Sequence, residues 1–209
     1  MIRLVKDGVL PELDFSDFEK CVQNIKGKMT KTNKKGSTRS MGLLELIHTD
    51  ICGPFPAGIG GQKSFITFID DYSRYMYLYL IHEKFEYLEM FKNFKAEVEN
   101  QLDRKIKVVR SDRGGEYYGR HTDVGQSPSS FYEFCKSHGI VNQYTMPGTL
   151  QQNGVAERRN RTLMDMVRSM LANCNLSGFL WTEALKTAVH ILNRVPSKSA
   201  SKTPFEIWT

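Results

Sequence analysis

Three acidic side chains carry the chemistry this sequence is best equipped to do. Asp50 sits near the end of the apolar run Leu43–Ile51, Asp112 follows Ile106-Lys107-Val108-Val109-Arg110-Ser111, and Glu157 falls in the first turns of a long helical stretch. The intervals hold 61 and 44 residues. In mixed α/β folds, carboxylates at the ends of neighbouring strands open into one crevice, and a helix crossing that crevice adds a third. Three convergent carboxylates with no His or Cys in the set suit hard, oxygen-preferring cations, Mg²⁺ or Mn²⁺. Two such ions about 3.5–4 Å apart activate a water or hydroxyl and stabilise the leaving oxygen of a phosphodiester. The chain holds 23 acids, so spacing by itself selects this triple only weakly.

The elements that must position these acids follow from hydrophobic pattern. Residues 43–51 read as a buried strand stopped by Gly53-Pro54-Phe55-Pro56, with a turn over Gly58 to Gly61. Ser64–Asp70 and Tyr75–Ile81 read as second and third strands, rich in aromatic and branched residues, and the tight spacing predicts an antiparallel meander. Phe85, Leu88, Phe91, Phe94 and Val98 recur at three- and four-residue spacing, which predicts a helix over 83–102. A fourth strand covers 106–110. Residues 114–130, rich in Gly, Ser and Tyr, read as a loop insertion. A short helix over 129–137 and a strand over 140–144 come next. Helices over 152–173 and 180–194 follow Pro147-Gly148. The order predicts an α/β protein with a five-stranded mixed sheet flanked by helices.

Charge and cysteines narrow the class. The net charge is +6, and residues 20–40 hold seven Lys/Arg with no acid, which leaves the other residues at −1. That stretch has few apolar residues and no period, so it reads as a flexible basic linker that is either a solvated tether or a nucleic-acid contact through residues such as Lys34 and Lys35. No run approaches 18 apolar residues, so no membrane span is expected. The N-terminus has no long apolar stretch and is not read as a signal peptide. Cys21, Cys52, Cys135 and Cys174 form no compact ligand pair, and reduced thiols in cytosol or nucleus are expected. Cys52, Cys135 and Cys174 read as small core residues. Trp181 and Trp208 read as packing residues, Asp70-Asp71 as structural acids, Glu116 as a loop-surface acid close to Asp112, and His48 as a packed histidine.

Local context around the three acids is more specific than their spacing. Asp50 lies in His48-Thr49-Asp50-Ile51-Cys52-Gly53-Pro54, Asp112 in Arg110-Ser111-Asp112-Arg113-Gly114-Gly115-Glu116-Tyr117, and Glu157 in Gln151-Gln152-Asn153-Gly154-Val155-Ala156-Glu157-Arg158-Arg159-Asn160-Arg161. With these motifs the chain resembles the integrase core of copia-type LTR retrotransposon polyproteins, of plant type, and more distantly retroviral integrases. The resemblance runs from about residue 37 to Thr209 and includes Pro204-Phe205-Glu206-Ile207-Trp208. It implies an RNase H-like fold and makes Asp50, Asp112 and Glu157 the catalytic metal ligands for two Mg²⁺ or Mn²⁺ ions. It implies metal-dependent polynucleotidyl transfer, in which water and then the new 3′-hydroxyl attack phosphodiesters with no covalent protein intermediate. The implied partners are double-stranded DNA, both element ends and target, and further copies of the chain. The implied place of action is the nucleus after synthesis in the cytoplasm.

On the long helix, Glu157, Arg161, Met164 and Arg168 fall on one stripe, while Leu163, Val167, Met170 and Leu171 form an apolar stripe facing the core. The first turn thus offers Arg158, Arg159 and Arg161 beside a metal ligand, to hold DNA phosphates or to remain solvated. By resemblance, Gly148, Gln152, Asn153 and Gly154 form a mobile loop over the site, with Gln152 and Asn153 near DNA. Copia-type proteins also carry an upstream His/Cys zinc module ending in a C-x-x-C pair. Here that place reads Cys21-Val22-Gln23-Asn24, with Asn24 where the second Cys would stand, so no zinc site is expected. The expected organisation is a remnant of that module plus basic linker over 1–36 and the catalytic core over 37–209, as a polyprotein fragment or a decayed copy. Two other readings compete with integrase activity: a catalytically silent nucleic-acid-binding module, and an RNase H-like metal-dependent nuclease.

Overall fold

The computed structural model describes residues 39–122, 125–145, 154–174, 176–196 and 201–209, which belong to one compact unit beginning at Arg39. Strands β1 (Leu46–Cys52), β2 (Ser64–Asp70) and β3 (Met76–Ile81) form an antiparallel meander. Helix α1 (Tyr87–Leu102) carries the chain across to β4 (Val108–Ser111), which pairs parallel with β1. A short helix α2 (Gly115–Tyr118), a small hairpin of β5 (Arg120–Thr122) and β6 (Gly125–Ser127), and helix α3 (Ser130–Ser137) precede β7 (Val141–Tyr144), which pairs parallel with β4. The main sheet runs β3-β2-β1-β4-β7, so β1 lies at its centre. Helices α4 (Gly154–Asn173), α5 (Trp181–Arg194) and α6 (Pro204–Trp208) complete the fold.

Each face of the sheet is covered, which explains why β2 reads as an unbroken apolar run: all seven of its residues are buried. Alternation along the strands sends Ile66 and Phe68 to one face and Phe65 and Ile69 to the other. On the first face α1 and α3 supply Phe91, Phe94 and Phe131, and Phe68 stacks on Phe94 with centroids 4.6 Å apart. On the second face α4 and α5 supply Ala156, Leu163, Val167, Trp181 and Leu185. Truncating a buried ring such as Phe68 to alanine costs about 3–5 kcal/mol in cores of this kind.

Two aspartates fasten the β2–β3 turn to the start of the domain. Asp70 accepts from the Leu44 amide (2.9 Å) and from both the amide and hydroxyl of Ser73 (2.7 Å each). Asp71 accepts from the Ser40 amide (2.6 Å) and from His48 Nε2 (2.8 Å), and Arg74 Nη1 lies 2.9 Å from its Oδ1. Arg74 is left-handed at φ 64, a turn conformation stabilised by these contacts. These are the structural roles read from the sequence.

Some expectations shift. The first strand begins at Leu46 rather than residue 43, because Leu44 adopts φ 62 and drops into the core from a loop. Phe85 is 76% exposed: it lies in a 3₁₀ turn (Lys84–Glu86) before α1, and Tyr87 takes the buried place. The expected loop over 114–130 contains α2 and the β5–β6 hairpin, which lack the long periodic signal that sequence reading needs. Met164, read on the polar stripe of α4, packs against the second core. Among the thiols Cys135 is buried, Cys52 is half-buried, and Cys174 is exposed at the end of α4, so it is not a core residue. Both tryptophans pack: Trp181 against Phe55 and Phe65, Trp208 stacked on Tyr75 at 5.1 Å. Among the described residues no helix is long and apolar enough to cross a membrane.

Candidate active site

Asp50 lies on the central strand, with its side chain on the face covered by α4. The antiparallel register sets it opposite Thr67. Asn160, on the buried side of α4, bridges the two: its Nδ2 donates to Asp50 Oδ2 (2.9 Å) and its Oδ1 accepts from Thr67 Oγ1 (3.1 Å). The Thr67 hydroxyl thereby fixes which end of the amide faces the aspartate, the orientation being set by the hydrogen-bond network. Burial raises the Asp50 carboxyl to about 6. The Asn160 bond works against that rise, and the charges of Asp112 and Glu157 add to it.

Asp112 follows β4 directly. The parallel register pairs His48 with Arg110, so two residues further on, Asp112 is level with Asp50 and on the same side of the sheet. Its loop is tightly organised. The Gly114 amide donates to Asp112 Oδ1 (3.0 Å), and a Cβ on Gly114 would sit 3.0 Å from that oxygen and 2.8 Å from Glu116 Oε2. The Glu116 and Asp112 carboxylates therefore share one small volume, and Glu116 also lies 3.6 Å from Lys84 Nζ. Tyr117 anchors the loop from beneath: its hydroxyl lies 3.1 Å from Thr49 Oγ1, on the opposite face of β1 from Asp50, and its carbonyl accepts from Ser129 Oγ (2.6 Å) and Tyr144 OH (3.1 Å).

Glu157 is half-buried in the first turn of α4, three residues before Asn160 and hence on the same side of the helix. The chain therefore turns Asp50, Asp112 and Glu157 toward one region, near enough for the latter two to oppose ionisation of the first. Among the described residues no three His, Cys, Asp or Glu side chains stand close enough together to form a ready metal cluster. The donor set fits a divalent ion in its chemistry: hard carboxylate oxygens, one of them half-buried and held by a neutral amide rather than by a cation.

His48 is buried and hydrogen-bonded to Asp71, so it is the packed histidine expected. Asn160 belongs to no motif of ligand or catalytic type in the sequence. Its signal was positional: it falls on the same buried face of α4 as Ala156, Leu163 and Val167, where an amide needs a partner.

The three arginines in the first turns of α4 do not act as one group. Arg161 is exposed on the Glu157 side. Arg158 is exposed and donates Nε to the Gly154 carbonyl (2.6 Å). Arg159 is half-buried and donates to the Arg74 carbonyl (3.3 Å). Gln152, Asn153, Gly148, Lys34, Lys35 and Cys21 lie outside the described residues.

Residues 44–149 match the family described as integrase core domain. Over 209 residues the chain is 39% identical to the retrovirus-related Pol polyprotein from transposon TNT 1-94 of Nicotiana tabacum, covering 99% of this chain and 15% of that protein. Over 191 residues it is 31% identical to the transposon Ty1-DR6 Gag-Pol polyprotein of Saccharomyces cerevisiae, covering 88% of this chain and 10% of that protein. The chain thus spans a small part of these relatives' length. Among solved structures it superposes on a chain of the simian T-cell lymphotropic virus intasome in complex with PP2A regulatory subunit B56 gamma. There the TM-score is 0.60 at 16% identity, over 86% of this chain and 59% of that one. It also superposes on the HTLV-2 integrase catalytic core domain in complex with magnesium, with TM-score 0.54 at 18% identity over 82% and 100%. With a five-stranded mixed sheet that superposes on those cores and a family match over half its length, the chain belongs to the integrase core domain family and has its RNase H-like fold.

Proposed function

We propose that this chain is the catalytic core of a retrotransposon integrase, which joins element DNA to target DNA by metal-dependent polynucleotidyl transfer. The observation that carries this reading is Asp50: a carboxyl on the central strand, raised to about 6 by burial and by the charges of Asp112 and Glu157. A carboxyl whose ionisation is opposed by burial and by neighbouring acids is typical of a functional site. Asp50, Asp112 and Glu157 are the residues assigned to hold two Mg²⁺ or Mn²⁺ ions. When bound, such ions activate the attacking water or 3′-hydroxyl and neutralise charge at phosphorus.

The protein's own part is positioning. Asn160 and Thr67 hold the Asp50 carboxylate in one orientation, and the Tyr117 anchor holds the strand end that presents Asp112. Both the 3′-processing and strand-transfer steps are in-line displacements, so orientation and electrostatics supply the acceleration and no side chain needs to form a covalent bond. The proposed partners are element-end and target DNA, with Arg161, exposed and one helical turn on from Glu157, as a phosphate contact. We further assign residues 37–209 to the core, residues 1–36 to a zinc-module remnant and linker, assembly to a homo-oligomer, and action to the nucleus.

A strand-transfer and disintegration assay with Mg²⁺ or Mn²⁺ tests the reading. Wild-type protein should join labelled DNA ends to a target, and Asp112→Asn should abolish this while remaining folded. Folded protein without metal-dependent activity that the substitution removes would leave the silent nucleic-acid-binding module in place of an enzyme.

A further inference from the structure

On the helical wheel of α4, Val155, Arg159 and Thr162 fall between about 140° and 200° from Glu157. They face away from the three carboxylates and line a pocket of about 460 Å³ bounded by the β2–β3 turn, the end of α5 and α6. Val155, Leu192 and Pro204 contribute an apolar floor. Five cations line the pocket (Arg39, Arg74, Arg158, Arg159 and Lys202), and among the described residues lining it there is no carboxylate. Asp71, whose Oδ1 lies 2.9 Å from Arg74 Nη1, offsets a single one of these charges.

Such convergence is unusual because like charges repel. Two of the arginines are already disfavoured as cations. Burial lowers Arg74, with Asp71 opposing this and Arg39 and Arg158 adding to it. Burial lowers Arg159, and Arg74 and Arg39 add to that. The half-buried Arg159 donates to the Arg74 backbone carbonyl, which holds its guanidinium against the β2–β3 turn. Guanidinium groups present planar forks that match tetrahedral oxyanions, and several around one space favour a multiply charged anion over a single carboxylate.

We propose that this pocket is a binding site for phosphate groups, separate from the carboxylate site on the opposite side of α4. The phosphates are those of a nucleic-acid backbone or of a free polyphosphate, the shared chemistry being several acceptor oxygens with more than one negative charge. The assignment does not rest on integrase activity, since the pocket binds whether or not the carboxylates turn over.

The test uses the full chain in EDTA at fixed ionic strength, with tripolyphosphate as probe, read by calorimetry and thermal shift. Arg39→Gln/Lys202→Gln is the first variant, because both side chains are exposed and leave the core untouched. Arg159→Gln is the second. Wild-type protein should bind tripolyphosphate and gain thermal stability, the double variant should bind at least about fivefold more weakly, and Asp112→Asn should bind like wild type. A 20-base-pair duplex that displaces the probe assigns the site to backbone phosphates, whereas a probe that stays bound assigns it to free phosphates. The proposal is overturned by any of three results: absent binding, equal binding by the folded double variant, or equal protection by poly-glutamate of matched charge. Failure of strand transfer with retained tripolyphosphate binding would sink the catalytic reading alone.

Discussion

Asn160 and Asp50 are 110 residues apart in sequence and joined by a 2.9 Å hydrogen bond, with the amide held in turn by Thr67. The bond links the helix that carries Glu157 to the strand that carries Asp50. Asn160→Ala should therefore loosen the site without emptying the core. Removing a residue that orients a metal-binding carboxylate typically costs 10–100-fold, so we expect about that loss in metal affinity or strand transfer. Unchanged activity and Mg²⁺ dependence in the folded variant would show that the bond orients nothing relevant.

Asp50 is expected to weaken the metal-free protein. Its folded pKa of about 6 is above the ordinary 3.8, so its contribution is most favourable below about pH 4 and is lost as pH rises toward 6. Asp50→Asn keeps an acceptor for Asn160 and carries no charge. In EDTA at pH 7.5 the variant should be more stable than wild type by about 1–3 kcal/mol. The difference should vanish near pH 4. Urea unfolding across this range decides the matter, and a variant less stable at neutral pH would contradict it.

Asp71 has the opposite sign. Burial alone would raise it, but the His48 bond, the Ser40 amide and the Arg74 charge hold it well below the usual carboxylate range. His48 itself is lowered, first by burial, against the pull of Asp71. The pair is best described as a neutral imidazole donating Nε2–H to a carboxylate whose counter-charge is Arg74. The stability from Asp71 is present above its ordinary pKa of 3.8 and lost as pH falls below it. Asp71→Asn should cost about 1–3 kcal/mol at neutral pH, with a smaller penalty in acid. Thermal unfolding at pH 7 and pH 3 checks this.

Gly114→Ala should separate stability from activity. The residue has φ −57, which alanine accepts, but its Cβ would sit 2.8 Å from Glu116 Oε2 and 3.0 Å from Asp112 Oδ1. Those are the ends of movable side chains, so folding should be nearly unaffected while the Asp112 carboxylate is displaced. We expect strand transfer to fall about tenfold or more, since small misplacements of reacting groups are costly. The melting temperature should move only slightly.

Much of the architecture was legible in the residues. Branched and aromatic runs marked the strands, three- and four-residue spacing marked α1 and α4, and the motifs around Asp50, Asp112 and Glu157 marked the family, because these signals are local and periodic. Short elements such as α2 and the β5–β6 hairpin are not legible, since a few residues give no period, and Phe85 departs from the apolar spacing because a 3₁₀ turn shifts the phase of the helix that follows. What only tertiary structure decided is which groups meet. Strand register levels Asp112 with Asp50, and the buried face of α4 brings Asn160 to Asp50. The same helix sends Arg161 and Arg159 to different sides, although they stand two residues apart. Sequence spacing states the angle of a residue around its own helix. The neighbour at that angle depends on how the helix lies across the sheet, and that is determined by packing among residues far apart in the chain.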